Sequence, residues 1–131
     1  MNISYEVPNY KEYIELRMLA GLNRKEDSVA KLALANSLFS VVIRNDDDKL
    51  IGMGRVIGDG ACYYQIVDLT VQPSEQGLVE ILITEIMNYL TLTAPKDANV
   101  ILMSELSGIG IYKKFGFELT YPNSMSMSRT L

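Results

Sequence analysis

Apolar and polar positions along the chain follow two periods, and each change of period marks a predicted element. Ile3 to Val7 alternates like a short strand, and Pro8 ends it because proline has no N–H to give a ladder. Asn9 stands three residues before Glu12, the spacing of a capping box, and Tyr13, Ile14, Arg17 and Met18 follow at helical spacing until Gly21. Asn23 with Glu26 repeats that capping pattern, which predicts a second helix carrying Val29, Leu32 and Ala33 inward and running to about Asn36.

The middle of the chain has the period of strands. Phe39 to Arg44 and Leu50 to Ile57 flank the turn Asn45-Asp46-Asp47-Asp48, and Gly58-Asp59-Gly60 leads to a third strand from Cys62 to Val71. That strand is apolar on both faces, with Tyr63, Val67, Leu69 and Val71 set against Tyr64 and Ile66. It is therefore expected to be central and covered on both sides. Beyond Pro73 a helix begins at about Gly77, with Leu78, Ile81, Leu82, Ile86, Tyr89 and Leu90 inward and Glu80, Thr84, Asn88 and Thr91 opposite. Pro95 ends that unit. Val100 to Met103 is a short strand that a helical crossover would set parallel to the one before it. Ser107 to Phe115 is a last helix with Gly116 suited to a left-handed cap, and Phe117 to Tyr121 with Met125 to Arg129 would close a hairpin around Pro122-Asn123. The fold class is α+β: a mixed, mostly antiparallel sheet with one parallel crossover. Residues 1–131 are expected to form one domain, with no linker, repeat or low-complexity tract.

Composition narrows the chemistry. With 48% hydrophobic residues the chain can build a core without staples, and its one cysteine, Cys62, has no internal partner, which suits a reducing compartment. No secretion signal opens the sequence and no apolar run reaches the ~20 residues of a membrane span, so a cytoplasmic protein with no membrane contact is expected. A net charge of −4 disfavours nucleic acid, because neutralising phosphates takes clustered Lys and Arg. There is no histidine, which removes the commonest general base, every Ser-His or Cys-His nucleophile pair and the usual zinc ligands. No metal site is expected. Any catalysis falls to Tyr, Asp, Glu, Lys, backbone amides or water.

Three segments, in this order on these elements, resemble motifs of the GNAT superfamily of N-acetyltransferases. They are Leu50-Ile51-Gly52-Met53-Gly54-Arg55, Asp68-Leu69-Thr70-Val71-Gln72-Pro73, and Ile111-Tyr112-Lys113-Lys114-Phe115-Gly116-Phe117. The resemblance runs from about Phe39 to Phe117. It implies the GNAT fold, with helices on both faces of the sheet, and direct transfer of an acetyl group from acetyl-CoA to a primary amine of a small molecule or peptide. It also implies that Leu69, Thr70 and Val71 hold the pantetheine arm of acetyl-CoA and polarise its thioester carbonyl, and that Tyr112 is the general acid for the departing thiolate. For a base, Asp68, Glu105 and a water chain are all open. Arg55 on a strand reads more readily as a surface or paired arginine than as a ligand contact, and Asp68 as a lysine partner or a turn cap. Exposed strand edges would suit a homodimer.

The chain departs from the family pattern where the pyrophosphate is expected. The family signature places successive backbone N–H groups at the start of the long helix, aided by its partial positive charge. Here Gln76, Gly77, Leu78 and Val79 fill that position, about two residues short, with Val79 where a small residue is wanted and Glu75 and Glu80 alongside. Two lost residues remove about 7 Å of reach, and two lost charge-assisted hydrogen bonds at ~1.5–3 kcal/mol each weaken binding by about 10²- to 10⁴-fold. A GNAT-like module that binds a metabolite or partner protein, with weak or no catalysis, is therefore the alternative expectation.

Overall fold

The computed structural model describes residues 1–131. Five strands form one sheet in the order β1 (Asn2–Ser4), β2 (Phe39–Arg44), β3 (Leu50–Gly58), β4 (Tyr63–Val71), β5 (Asn99–Leu102). Neighbours are antiparallel except β4 and β5, which run parallel across the crossover helix α3 (Leu78–Thr93). Helices α1 (Tyr10–Leu19) and α2 (Asp27–Ala35) cover one face and α3 the other, with a short helix α4 (Ile109–Lys113) after β5. No helix is long and apolar enough to cross a membrane. The fold is the α+β arrangement expected, with helices on both faces of the sheet.

Two cores follow from the alternation of β2 and β3. On the α3 face, Val41, Ile43, Val56, Tyr64 and Ile66 pack against Leu82, Ile83, Ile86 and Leu90. On the other face, Val42, Leu50 and Met53 meet Tyr13, Ile14 and Leu16 of α1 with Ala30 and Leu34 of α2. Gly52 and Gly54 stand on the α3 face, and their lack of a side chain lets the tips of Leu82 and Ile86 approach the strand. The capping box at Asn9 and Glu12 forms with both of its hydrogen bonds, which fixes where α1 starts.

Several expectations are corrected. The first strand is Asn2–Ser4 and not Ile3–Val7. Its register pairs Asn2, Ile3 and Ser4 with Arg44, Ile43 and Val42, the last three residues of β2. The second helix has no side-chain cap from Asn23 and starts at Asp27 behind Glu26. Its buried residues are Ala30 and Leu34, a full turn apart, so Val29 and Leu32 face solvent: close packing of α2 on Tyr13 and Leu16 of α1 favours the small alanine over the larger side chains. Ile83, which the expected stripe omits, is fully buried in α3 because helix and sheet meet along a band wider than one stripe. The last helix shrinks to Ile109–Lys113 behind a 3₁₀ turn, Leu106–Gly108, with Gly108 and Gly110 disfavouring a longer one. The closing hairpin does not form as a pair of strands. Ser124 N–H donates to the Thr120 carbonyl at 2.9 Å, but no ladder follows, and Leu119, Tyr121, Met125 and Met127 lie exposed. An isolated pair of strands without a sheet neighbour or a covered apolar face is only marginally stable.

Candidate active site

Strands β4 and β5 pair from Tyr63/Asn99 to Ile66/Leu102 and no further. Beyond that point Val67–Val71 keeps its β3 neighbour on one edge and has no strand on the other. Gln72 N–H donates to the Ile51 carbonyl at 2.8 Å. Antiparallel alternation from that anchor directs the Thr70 N–H at Met53 and turns the N–H and C=O of Val71 to the open edge. A row of unsatisfied backbone groups at the end of a parallel pair can align an extended ligand as an added strand would.

A bulge precedes this edge. Val67 pairs with Arg55 and Thr70 with Met53, so Asp68 and Leu69 together oppose the single residue Gly54. The extra residue reverses the parity of the strand. Tyr64 and Ile66 face α3 before it, and Leu69 and Val71 face α3 after it, while Asp68 turns to the α1 face. Simple alternation would have put the Asp68 carboxylate into the apolar core under α3. Asp68 has φ of +52°, which asparagine and aspartate tolerate better than other non-glycine residues.

The Asp68 carboxylate is fully engaged. Tyr13 Oη donates to Oδ2 at 2.6 Å, Arg55 Nε to Oδ2 at 3.0 Å, and Arg17 Nη1 to Oδ1 at 2.8 Å. Arg55 Nη2 lies 2.9 Å from Oδ2, and Arg55 Nη1 also donates to the Ala33 carbonyl and Ser37 Oγ at the end of α2. A carboxylate with both oxygens bound, lying nearly buried between two guanidinium groups and a tyrosine hydroxyl, does not face a substrate, so Asp68 leaves the set of candidate bases. Burial, and then the bond to Asp68, push the Tyr13 hydroxyl above its ordinary value. The partnership of Tyr13 and Arg17 with Asp68 was missed in the sequence, although their i, i+4 spacing puts both on one helix face.

Tyr112 sits in the last turn of α4. Phe117 N–H donates to the Tyr112 carbonyl at 3.3 Å and Gly116 N–H to the Lys113 carbonyl at 3.1 Å, the paired bonds of a Schellman cap, with Gly116 at φ +88°. The hydrophobic contact that accompanies such a cap is the edge-on packing of Tyr112 against Phe117, ring centroids 6.5 Å apart. The motif Tyr-x-x-Phe-Gly-Phe thus fixes the tyrosine ring by local geometry alone. Tyr112 packs against the same apolar cluster as Leu69, and near Gly108 and Ser104 on the segment leaving β5. Burial, and then the charge of Glu105, raise its pKa above the ordinary 10, so the hydroxyl is protonated at neutral pH. Glu105 itself is exposed.

Between β4 and α3 the chain makes one 3₁₀ turn, Pro73–Glu75, before α3 starts at Leu78 behind Gly77. Gln76 and Gly77 are exposed, and a Cβ on Gly77 would meet nothing, so a ligand can reach these backbone groups closely. Leu78 is buried and Val79 packs against the core, so these two can offer a ligand only their amides. The Val79 N–H already donates to the Gln76 carbonyl at 3.3 Å. Glu80 pairs with Lys114 at 3.4 Å, an exposed contact that offsets part of its charge beside the helix start. The open β4 edge and the opening turn of α3 fit an extended ligand ending in phosphate, with few donors at the phosphate end.

Among solved structures, the chain is similar over 99% of its length to 98% of a probable acetyltransferase from meticillin-resistant Staphylococcus aureus, at 36% identity and a TM-score of 0.91. A GNAT-family acetyltransferase from Streptococcus pneumoniae shares the fold at 24% identity and a TM-score of 0.77, with 99% of this chain and 96% of that one covered. A GNAT-family N-acetyltransferase from Escherichia coli, solved in complex with CoA, shares it at 22% identity and a TM-score of 0.66, over 91% of this chain and 69% of that one. No family model and no curated protein matches the chain.

Proposed function

Because the chain belongs to the GNAT family of acetyltransferases, we propose that it moves an acetyl group from acetyl-CoA to a primary amine of a small molecule or peptide, by direct transfer. The observation that carries this reading is the free edge of Val67–Val71 where β5 has parted from β4. Acetyl-CoA supplies an activated thioester on an extended arm. In this reading the outward N–H and C=O groups of Leu69–Val71 align that arm, and an outward amide polarises the thioester carbonyl. The amides of Gln76, Gly77 and Leu78 and the positive end of α3 receive the pyrophosphate.

Tyr112 protonates the departing thiolate as the amine displaces it. Its raised pKa keeps it in the acid form at neutral pH, and that form is lost only as pH rises through the raised value. With Asp68 closed off, a proton on an incoming ammonium leaves through Glu105 or through water. A CoA-bound relative of the same fold supports the cosubstrate. The short turn before α3 favours the second reading, a binding module with weak or no catalysis.

Two measurements separate the readings. Acetyl-CoA at ~100 times its dissociation constant adds about 2.7 kcal/mol of stability, visible in a thermal melt; no shift at millimolar acetyl-CoA excludes the enzyme. Tyr112→Phe should then lower CoA release with a panel of primary amines by about 10²-fold or more, at nearly unchanged acetyl-CoA binding. Unchanged turnover removes Tyr112 from the role.

A further inference from the structure

We propose that Asp68, held by Tyr13, Arg17 and Arg55, is the positioning device of the cosubstrate strand, setting the bulge that aims the Leu69–Val71 backbone and tying helix α1 to it. The inference rests on the reading of Val67–Val71 as the edge that aligns acetyl-CoA.

The bulge is the step at which the strand changes parity. It determines which peptide groups after Asp68 point into β3 and which point to the open edge. A left-handed aspartate in the middle of a strand is not held by the ladder, because Asp68 and Leu69 share one opposite residue, Gly54. What holds it is the side chain. Three elements grip the carboxylate: α1 through Tyr13 and Arg17, β3 through Arg55, and α2 indirectly through Arg55 to Ala33 and Ser37. All three charged side chains are nearly buried, with 8–12% exposure, so water does not loosen the grip. The residues next along the chain are the ones with the free outer edge.

A carboxylate buried among two arginines and a tyrosine does not reach a substrate, so its contribution is orientation. Helix α1 thereby becomes part of the cosubstrate site without facing it. Any movement of α1 is transmitted through Tyr13 and Arg17 to the peptide planes at Asp68 and Leu69.

The test uses the intact chain and CoA itself. Tyr13→Phe removes one hydroxyl bond and keeps the ring in the core, and it serves as the variant that folds. Asp68→Asn keeps the shape and the tolerance of positive φ, whereas Asp68→Ala loses both the grip and that tolerance. The expected order of damage is Tyr13→Phe, then Asp68→Asn, then Asp68→Ala. Hydrogen exchange of the Thr70 amide should speed up by at least ~10-fold in the first two variants, while that of Gln65, on the same strand before the bulge, stays within about 2-fold. In the same two variants kcat with the best amine of the panel should fall at least ~10-fold, with KM for acetyl-CoA changing less than about 3-fold. Equal acceleration at Gln65 and Thr70, or no change at either, overturns the proposal. Localised exchange change in the variants of a protein whose wild type binds no CoA would sink the acetyltransferase reading and leave the positioning of the strand in place. Localised exchange change with unaltered kcat in an active enzyme also overturns the proposal, because the bulge would then not govern the reaction.

Discussion

Gly52 and Gly54 lie two residues apart on the same face of β3 under α3, yet a methyl group added at each should act with opposite sign. At Gly54 an ideal Cβ would stand 2.8 Å from Ile86 Cδ1 and 2.9 Å from Leu69 Cδ1. Carbon atoms pack best at about 3.5–4.0 Å, so both neighbours must retreat by roughly 0.7 Å into a filled core. Overpacking of that kind costs ~1–3 kcal/mol, partly offset by ~0.4–1 kcal/mol from restricting the unfolded chain. At Gly52 the Cβ would meet Leu82 at 3.4 Å, Val71 at 3.5 Å and Leu78 at 3.6 Å, ordinary contacts that need no movement. Gly52→Ala should therefore be neutral to stabilising by up to ~1 kcal/mol, and Gly54→Ala destabilising by up to about 2.6 kcal/mol. At about 3–4 °C per kcal/mol for a chain of this size, Tm should rise by up to ~4 °C in the first variant and fall by up to about 10 °C in the second. Urea denaturation gives the same comparison at constant temperature. Since Leu69 must move in Gly54→Ala, CoA affinity should weaken there and not in Gly52→Ala. Equal stability of the two variants would refute the claim that the Gly54 face is closed by Ile86 and Leu69.

Other expected outcomes follow from single contacts. Hydrogen bonds from Arg44 hold Glu12 below the usual carboxylate range, so its stabilisation is present above about pH 4.5 and is lost as pH falls through the lowered value. Wild type should therefore lose more stability than Glu12→Gln between about pH 5 and 3 in urea titrations, and parallel curves would dismiss the pair. Inserting two small residues between Gln76 and Gly77 adds reach while leaving Leu78 in the core. It should tighten acetyl-CoA at least ~10-fold, about 1.4 kcal/mol by calorimetry, with a smaller gain for a pantetheine fragment; equal gains would trace the effect to general stability. Cys62 is exposed and no histidine is available to activate it, so Cys62→Ser should keep full activity, and a trapped acetyl-cysteine would overturn direct transfer.

Local chemistry was legible wherever a few neighbouring residues settle the geometry. The Asn9/Glu12 capping box, the long helix after Pro73 and the Schellman stop at Gly116 depend on contacts within one or two turns, so the sequence alone determined them. The antiparallel run from Phe39 to Val71 and the parallel crossover to β5 follow from alternation and from a helix too long for a hairpin. The same local motif fixed the place of Tyr112, in the last turn of α4 and five residues before Phe117. Other features depended on long-range partners. Simple alternation sends Asp68 toward α3, and only Tyr13, Arg17 and Arg55, remote in sequence, make the bulge that turns it to α1 the lower-energy choice. The inward face of α2 was decided by how closely it meets α1, and the closing hairpin failed for want of a sheet neighbour. Propensity and period are properties of neighbours along the chain, whereas a bulge, a buried ion cluster and a strand edge exist only once distant segments have met.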